Sequence, residues 1–265
     1  MKGISANLLG ACAVVMTLIF GLAGQAAADD HGHRVIVTSD HPRGWSTGDT
    51  RPGGTVTFVA DDDAPSGRGA LRLTTDSTTA AKAQYLHAAN TPLANVVELS
   101  YHTKQNSAAF AGGDPSYQLI VFLNGTSGFT TLVFEPYENI AQGSVVPNAW
   151  QRWDVAQGQF WSTRSVTCSG GTVTAGAGGA PFYTLAQIDA LCPSAVAIGF
   201  GVNIGTNNPG YDVEADLLNF NGTRYDFEPA RGCAAISTDD TGDHASASGC
   251  DAAEHETHDS DNGED

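Results

Sequence analysis

The chain is punctuated throughout its middle by short runs of alternating apolar and polar residues. Thr55–Val59 and Ala70–Thr74 alternate in this way, and Val96–Thr103, Tyr117–Leu123, Thr130–Glu135, Ala195–Val202 and Val213–Phe220 follow. Gly, Pro, Asn and Asp separate them, and Asn124-Gly125 and Asn221-Gly222 are dipeptides suited to hairpin turns. Only one stretch reads as a helix: Thr184 can cap Leu185–Leu191, and Pro193 stops it. Strands of this length and spacing must cover each other's apolar faces. The pattern therefore predicts an all-β fold, a two-sheet antiparallel β-sandwich (jelly roll) with one short helix, over residues 35–229. A closed barrel is the alternative, while the lack of a repeat disfavours a propeller or solenoid.

The two ends read differently. Residues 1–28 have the form of a secretory signal: Lys2, an apolar stretch from Leu8 to Leu22, and Ala26-Ala27-Ala28 as the cleavage site. A membrane anchor is the rival, but Gly10 and Gly21 interrupt a run already short of the ~20 residues a span needs. Residues 29–34 form a short leader, and residues 230–265 an acidic tail expected to be disordered. From Asp239 onward the tail holds ten acidic residues and no Lys or Arg, against a formal charge of -17 for the chain. That balance argues against nucleic acid and anionic lipid as partners. The expected location is extracellular or periplasmic, with no membrane attachment after processing.

Cysteine usage fits export. Cys12 falls in the signal, leaving Cys168, Cys192, Cys233 and Cys250. Three pairings are possible; local pairing, Cys168–Cys192 and Cys233–Cys250, is the expected one. The spacings do not suit a zinc knuckle.

Four separated motifs also carry a resemblance. Gly44-Trp45…Val59, Gly67–Thr75, Trp150-Gln-Arg-Trp-Asp154 with Trp161, and Gly199…Glu228 resemble a bacterial extracellular β-sandwich family. That family is related to jelly-roll carbohydrate-binding modules and concanavalin-like sandwiches. The resemblance implies a fold and a surface-binding habit; it implies no reaction.

Three sets of residues are candidates for chemistry. Pyranose rings have apolar faces that pack on aromatic side chains, and the candidates for such a role are Trp45, Tyr101, Tyr117, Tyr137, Trp161 and Tyr211. Tyr137 is the preferred exposed member, because Glu135–Asn139 reads as a loop. Trp150 and Trp153 fall on opposite faces of one strand, so at least one belongs to the core. Second, Asp212, Glu214 and Asp216 share one face of a strand. This placement is similar to the catalytic strand of jelly-roll glucanases, with paired carboxylates ~5 Å apart for retention. It departs from their Glu-x-Asp-x-x-Glu pattern at Leu217. A structural Ca²⁺ site involving Asp216, or a plain solvated face, are the other readings. Third, cleavage after Ala28 would expose Asp29-Asp30-His31, a four-nitrogen set suited to Cu²⁺ or Ni²⁺, or else a solvated leader. No serine-hydrolase motif is present, and His102 reads as a hydrogen-bonded surface histidine.

The expectation is thus a secreted, non-catalytic β-sandwich that binds carbohydrate or another cell-surface ligand. A divergent glycosidase or polysaccharide lyase using Asp212, Glu214 and Asp216 is the alternative. A structural or metal-sequestering extracellular protein is the third.

Overall fold

A computed structural model describes residues 32–230. The first strands are β1 (His33–Val37), β2 (Trp45–Ser46), β3 (Gly54–Ala60), β4 (Gly69–Thr75), β5 (Ala83–Pro92), β6 (Leu99–Ser107) and β7 (Ser116–Phe122). Next come β8 (Phe129–Phe134), β9 (Gln151–Asp154), β10 (Trp161–Ser162), β11 (Val166–Cys168) and β12 (Gly171–Val173). Helix α1 (Leu185–Leu191) precedes β13 (Val196–Ile204), β14 (Asp212–Phe220) and β15 (Thr223–Phe227).

These strands form two main sheets and a small β11–β12 ribbon. One sheet runs β10-β8-β7-β13-β5-β2. In the other, β14 is flanked on one side by β6 and then β9. On its other side β4 pairs its first half and β15 its second. The change of partner falls at Leu217, whose φ of 49° breaks the β14–β6 register. Such a bulge bends the strand and adds twist. The sandwich is not wholly antiparallel: β1 lies parallel to β15, with His33 opposite Thr223 and Val37 opposite Phe227. The two strands are far apart in sequence, so no tight hairpin dictates their direction.

Alternation explains the core. On β7, Tyr117, Leu119 and Val121 are fully buried, and on β6 so are Leu99 and Tyr101. Tyr101 meets Tyr117 edge-on at 5.5 Å, and Phe200 stacks on Phe220 at 4.5 Å, so the two sheets pack face to face. Two of the buried aromatic tips are matched: Tyr117 Oη donates to Asn219 O at 3.1 Å, and Trp153 Nε1 to Thr103 Oγ1 at 2.7 Å. Trp150 and Trp153 do face opposite ways; Trp153 is core, and Trp150 lies under Lys104 at 5.3 Å.

The local signals in sequence act as expected. Thr184 Oγ1 accepts from Gln187 N at 3.2 Å while Gln187 Oε1 accepts from Thr184 N at 2.8 Å, a complete capping box. Helix α1 buries Leu185 and Ile188 and ends at Cys192, which is disulfide-bonded to Cys168. Asn221 and Gly222 both adopt positive φ (50° and 82°) in the β14–β15 turn, the backbone that an Asn-Gly hairpin requires. The Cys233–Cys250 pairing, the signal, the tail and Asp29-Asp30-His31 lie outside the described residues. No described helix is long and apolar enough to cross a membrane.

Candidate functional site

The side chains that alternate with the core point outward from the six-stranded sheet, and there they line a groove of about 960 Å³. The register sets its floor in rows. Gln84 (β5), Asn203 (β13) and Ser116 (β7) are adjacent in one row. Leu86, Gly201, Gln118, Val133 and Trp161 form the next, and Gly199, Ile120 and Thr131 a third. The central strand thus contributes glycine in two rows. A Cβ at Gly201 would sit 2.1 Å from Tyr85 O, so close approach of β5 excludes a side chain and keeps the floor low.

The floor is a linked set of amides and hydroxyls. Asn203 Nδ2 donates to Gln84 Oε1 at 3.0 Å, and Gln84 Nε2 donates to Gly48 O. Gln118 Nε2 donates to Ser116 Oγ at 2.7 Å, and Ser116 Oγ donates in turn to Asn203 O at 3.1 Å. These bonds fix the orientation of each group, so the floor offers hydrogen-bonding edges already in place.

Aromatic residues occupy the β8–β10 flank. Trp161 is half-buried on β10, and its Nε1 donates to Glu135 Oε2 at 3.2 Å. Beyond the end of β8, Tyr137 packs edge-on against Phe110 at 5.2 Å. Toward the other end, Phe129 lies beneath the Arg164 guanidinium at 5.1 Å. Phe110 and Phe129 are 51% and 40% exposed, too open to be core residues.

Two carboxyl groups belong to the groove wall. Asp114, in the β6–β7 connection, is pushed up to about 8 by burial, which outweighs the lowering by the Thr103 hydrogen bond and the nearby Trp153 N–H. Glu135 is also raised, again chiefly by burial, against the bonds from Tyr137 and Trp161. Lys82 and Arg51, at the β5 side, are both paired with Asp49.

The sequence candidates separate into two groups. Tyr137 and Trp161 line the groove; Tyr211 borders it but is buried, at 5% exposed, as part of the core. Trp45, Tyr101 and Tyr117 do not line it; the expectation that they face a ligand is corrected by their burial, at 4%, 0% and 0% exposed. Trp45 points inward because β2 pairs with β5, which seats its ring 5.3 Å from Tyr85 and 5.1 Å from Phe227. Tyr101 is held in the core with its Oη donating to Pro115 O at 2.7 Å.

The three carboxylates of β14 lie on the other sheet, away from the groove, and do not form an open shared face. Asp212 is paired with Arg72, and Asn106 Nδ2 donates to Glu214 Oε1 at 2.8 Å. Lys104 holds Glu214 at 2.9 Å and also reaches Asp61. Asp61 is lowered to about 2, the Lys104 and backbone Asp63 hydrogen bonds overcoming a burial penalty that acts the other way. Asp216 is fully buried at the Leu217 bulge. Its Oδ1 accepts from Phe227 N at 2.9 Å, while its Oδ2 has no partner. Burial, with the nearby Asp226 adding to it, drives its pKa well up. A solvated face is thus corrected to two ion-paired carboxylates and one buried acid. Among the described residues, no group of three or more His, Cys, Asp or Glu could hold a metal ion. His102 is corrected too: its Nδ1 is buried without a partner, and burial, aided by Arg152, lowers it to about 4.

The residues that sequence reasoning missed are Gln84, Gln118, Asn203, Asp114 and Glu135. Gln118 carried a signal, as the one polar residue inside the apolar run Tyr117–Leu123. Gly199 and Gly201, within a strand, carried another.

No known family's sequence profile matches the chain, and no curated protein matches it in sequence. Among solved structures, it is similar to a family 11 carbohydrate-binding module from Clostridium thermocellum in complex with a β-1,3-1,4-mixed-linked tetrasaccharide. The identity is 11%, over 68% of this chain and 90% of that one, with a TM-score of 0.39. It is also similar to the CBM22-1 xylan-binding domain from Paenibacillus barcinonensis Xyn10C. There the identity is 13%, over 69% of this chain and 86% of that one, with a TM-score of 0.33. A β-1,2-glucanase from Parabacteroides distasonis matches at 12% identity, over 66% of this chain and 22% of the enzyme, with a TM-score of 0.34. Likeness at this level does not transfer a function.

Proposed function

We propose that this chain is a secreted, non-catalytic carbohydrate-binding module whose groove on the six-stranded sheet holds a glycan. The observation that carries the reading is the division of that groove into an amide floor and an aromatic flank. A sugar has the matching division, with apolar C–H faces and a hydroxyl edge. Trp161, Tyr137 and Phe129 supply ring faces, while Gln84, Gln118 and Asn203 supply paired donors and acceptors. The three carboxylates of β14 are committed to ion pairs or buried, and they stand apart from this groove, so they have no part in it. Secretion is supported by the Cys168–Cys192 disulfide, a bond that persists in oxidising compartments.

Calorimetric titration with soluble β-glucans, xylans and mannans tests the reading. Saturable binding that is lost in Trp161→Ala and Gln118→Ala, both still folded by thermal melting, is the expected result. Failure of every glycan to bind, or binding indifferent to both substitutions, refutes it.

A further inference from the structure

The cationic side chains that line the groove are Arg51, Lys82 and Arg164. Arg51 and Lys82 stand at its β5 side, both paired with Asp49. Arg164, between β10 and β11, is exposed. Among the described residues it enters no ion pair, and its guanidinium donates no hydrogen bond. It lies instead over the Phe129 ring, 5.1 Å from the centroid, and Phe129 is itself 40% exposed.

The backbone that presents Arg164 is fixed from below. Thr130 and Ser162 are fully buried, and their hydroxyls bond each other at 2.8 Å. Arg164 N donates to Thr130 Oγ1 at 3.0 Å, and Ser162 Oγ donates to Arg164 O at 2.7 Å. Thr163 is tied to β8 twice: its N–H donates to Thr131 O at 3.0 Å, and its Oγ1 accepts from Thr131 N at 3.0 Å. Buried hydroxyls thus hold the turn that carries an exposed arginine. The acids of the groove stand elsewhere. Asp49 is engaged beside β5, and Asp114 is buried against Thr103. Glu135 follows the far end of β8, roughly 20 Å from Phe129 along an extended strand.

We propose that Arg164, seated on Phe129, is a carboxylate-recognising subsite, so that the groove takes a mainly neutral glycan carrying occasional uronates. The proposal rests on the glycan-binding reading and names the class of glycan. A guanidinium presents a planar fork of N–H donors that meets a carboxylate with two parallel hydrogen bonds. Here the fork is unused, and it stands beside the rings and amides along which a sugar chain would lie. Resting on Phe129 and on a tethered turn, the side chain has less freedom to lose when a ligand arrives. The chain's formal charge of -17 opposes a polymer charged at every residue. Salt screens those distant acids, whereas a single carboxylate in contact with Arg164 is screened much less.

Calorimetry at neutral pH compares glycan backbones with and without sparse uronates. Mixed-linked β-glucan and galactomannan are each used native and lightly oxidised at C6, and glucuronoxylan is used native and carboxyl-reduced. On a backbone that binds, the uronate form should bind roughly tenfold more tightly, the scale of a hydrogen bond to a charged group. Arg164→Met, still folded by thermal melting, should bring the two forms to one affinity. Arg164→Lys keeps the charge without the fork and should recover part of the gap. Complete C6 oxidation of the same backbone should weaken binding again. Uronate forms no tighter than neutral ones, or a gap that survives Arg164→Met, overturns the subsite alone. Tightest binding of the fully oxidised polymer overturns its restriction to sparse uronates. Failure of every form, neutral and acidic, to bind overturns the subsite together with the reading beneath it.

Discussion

Trp161 donates its indole N–H to Glu135 Oε2 at 3.2 Å, so the broadest aromatic ring of the groove is aimed by a carboxyl group of the same wall. The bond fixes the ring before a ligand arrives, which lowers the entropy lost on binding. Trp161→Ala should therefore reduce glycan affinity by about 2 kcal/mol, roughly thirtyfold. Trp161→Phe keeps a ring face but loses its tether, and should fall between. Calorimetry on both variants checks the order; equal affinity of Ala and wild type would remove Trp161 from the binding surface.

Asp114 links the groove to stability. Burial lifts it from 3.8 to about 8. The folded state then holds the proton more tightly than the unfolded chain does. Its contribution is fully present below pH ~4 and is lost as pH rises through about 8. The melting temperature should decline across that window, and Asp114→Asn should flatten part of the slope. An identical slope in the variant would contradict the assignment.

Asp226 is fully buried and receives the Arg34 guanidinium from the parallel strand β1. Removing that charge with Arg34→Met leaves a buried carboxylate unpaired. The cost should be about 2 kcal/mol, under the range for a wholly buried pair, because Arg34 is 47% exposed. Adding Asp226→Asn should recover most of it. Urea unfolding of the single and double variants measures both; an additive pair of losses would show that the two side chains act independently.

The Cys168–Cys192 disulfide closes a loop with a sequence separation of 24 and ties α1 to the β11–β12 ribbon. Replacing both cysteines by serine should cost about 3 kcal/mol through the freed unfolded chain. Denaturant midpoints report the loss. A midpoint unmoved by the double substitution would mean that packing of Ile188 holds the segment unaided.

Much of the sandwich was legible because its signals are local. Asn221-Gly222 demands a backbone that only a tight hairpin uses, and Thr184 with Gln187 forms a cap from neighbouring residues. The candidate site was legible only in part. Trp161 and Trp45 both open a strand of two residues and are alike in sequence terms, yet one lines the groove and the other is walled in by Tyr85, Phe200 and Phe227. Asp114 sits in a connection between strands, where no periodicity marks it.

The sequence by itself determined the alternation, the turns and the helix cap, and with them two faces for every strand. Which face became core depended on which strands paired. Pairing of β2 with β5 turned Trp45 inward, and the end of β15, whose Phe227 N–H bonds Asp216, closed over that carboxyl although it keeps the register of Glu214 on β14. The tertiary structure alone set an amide floor from β5, β7 and β13 beside aromatic rings from β10 and from residues flanking β8. The physical reason is range: alternation and capping act between near neighbours, whereas the groove is assembled from segments more than a hundred residues apart, brought together by burial of their opposite faces.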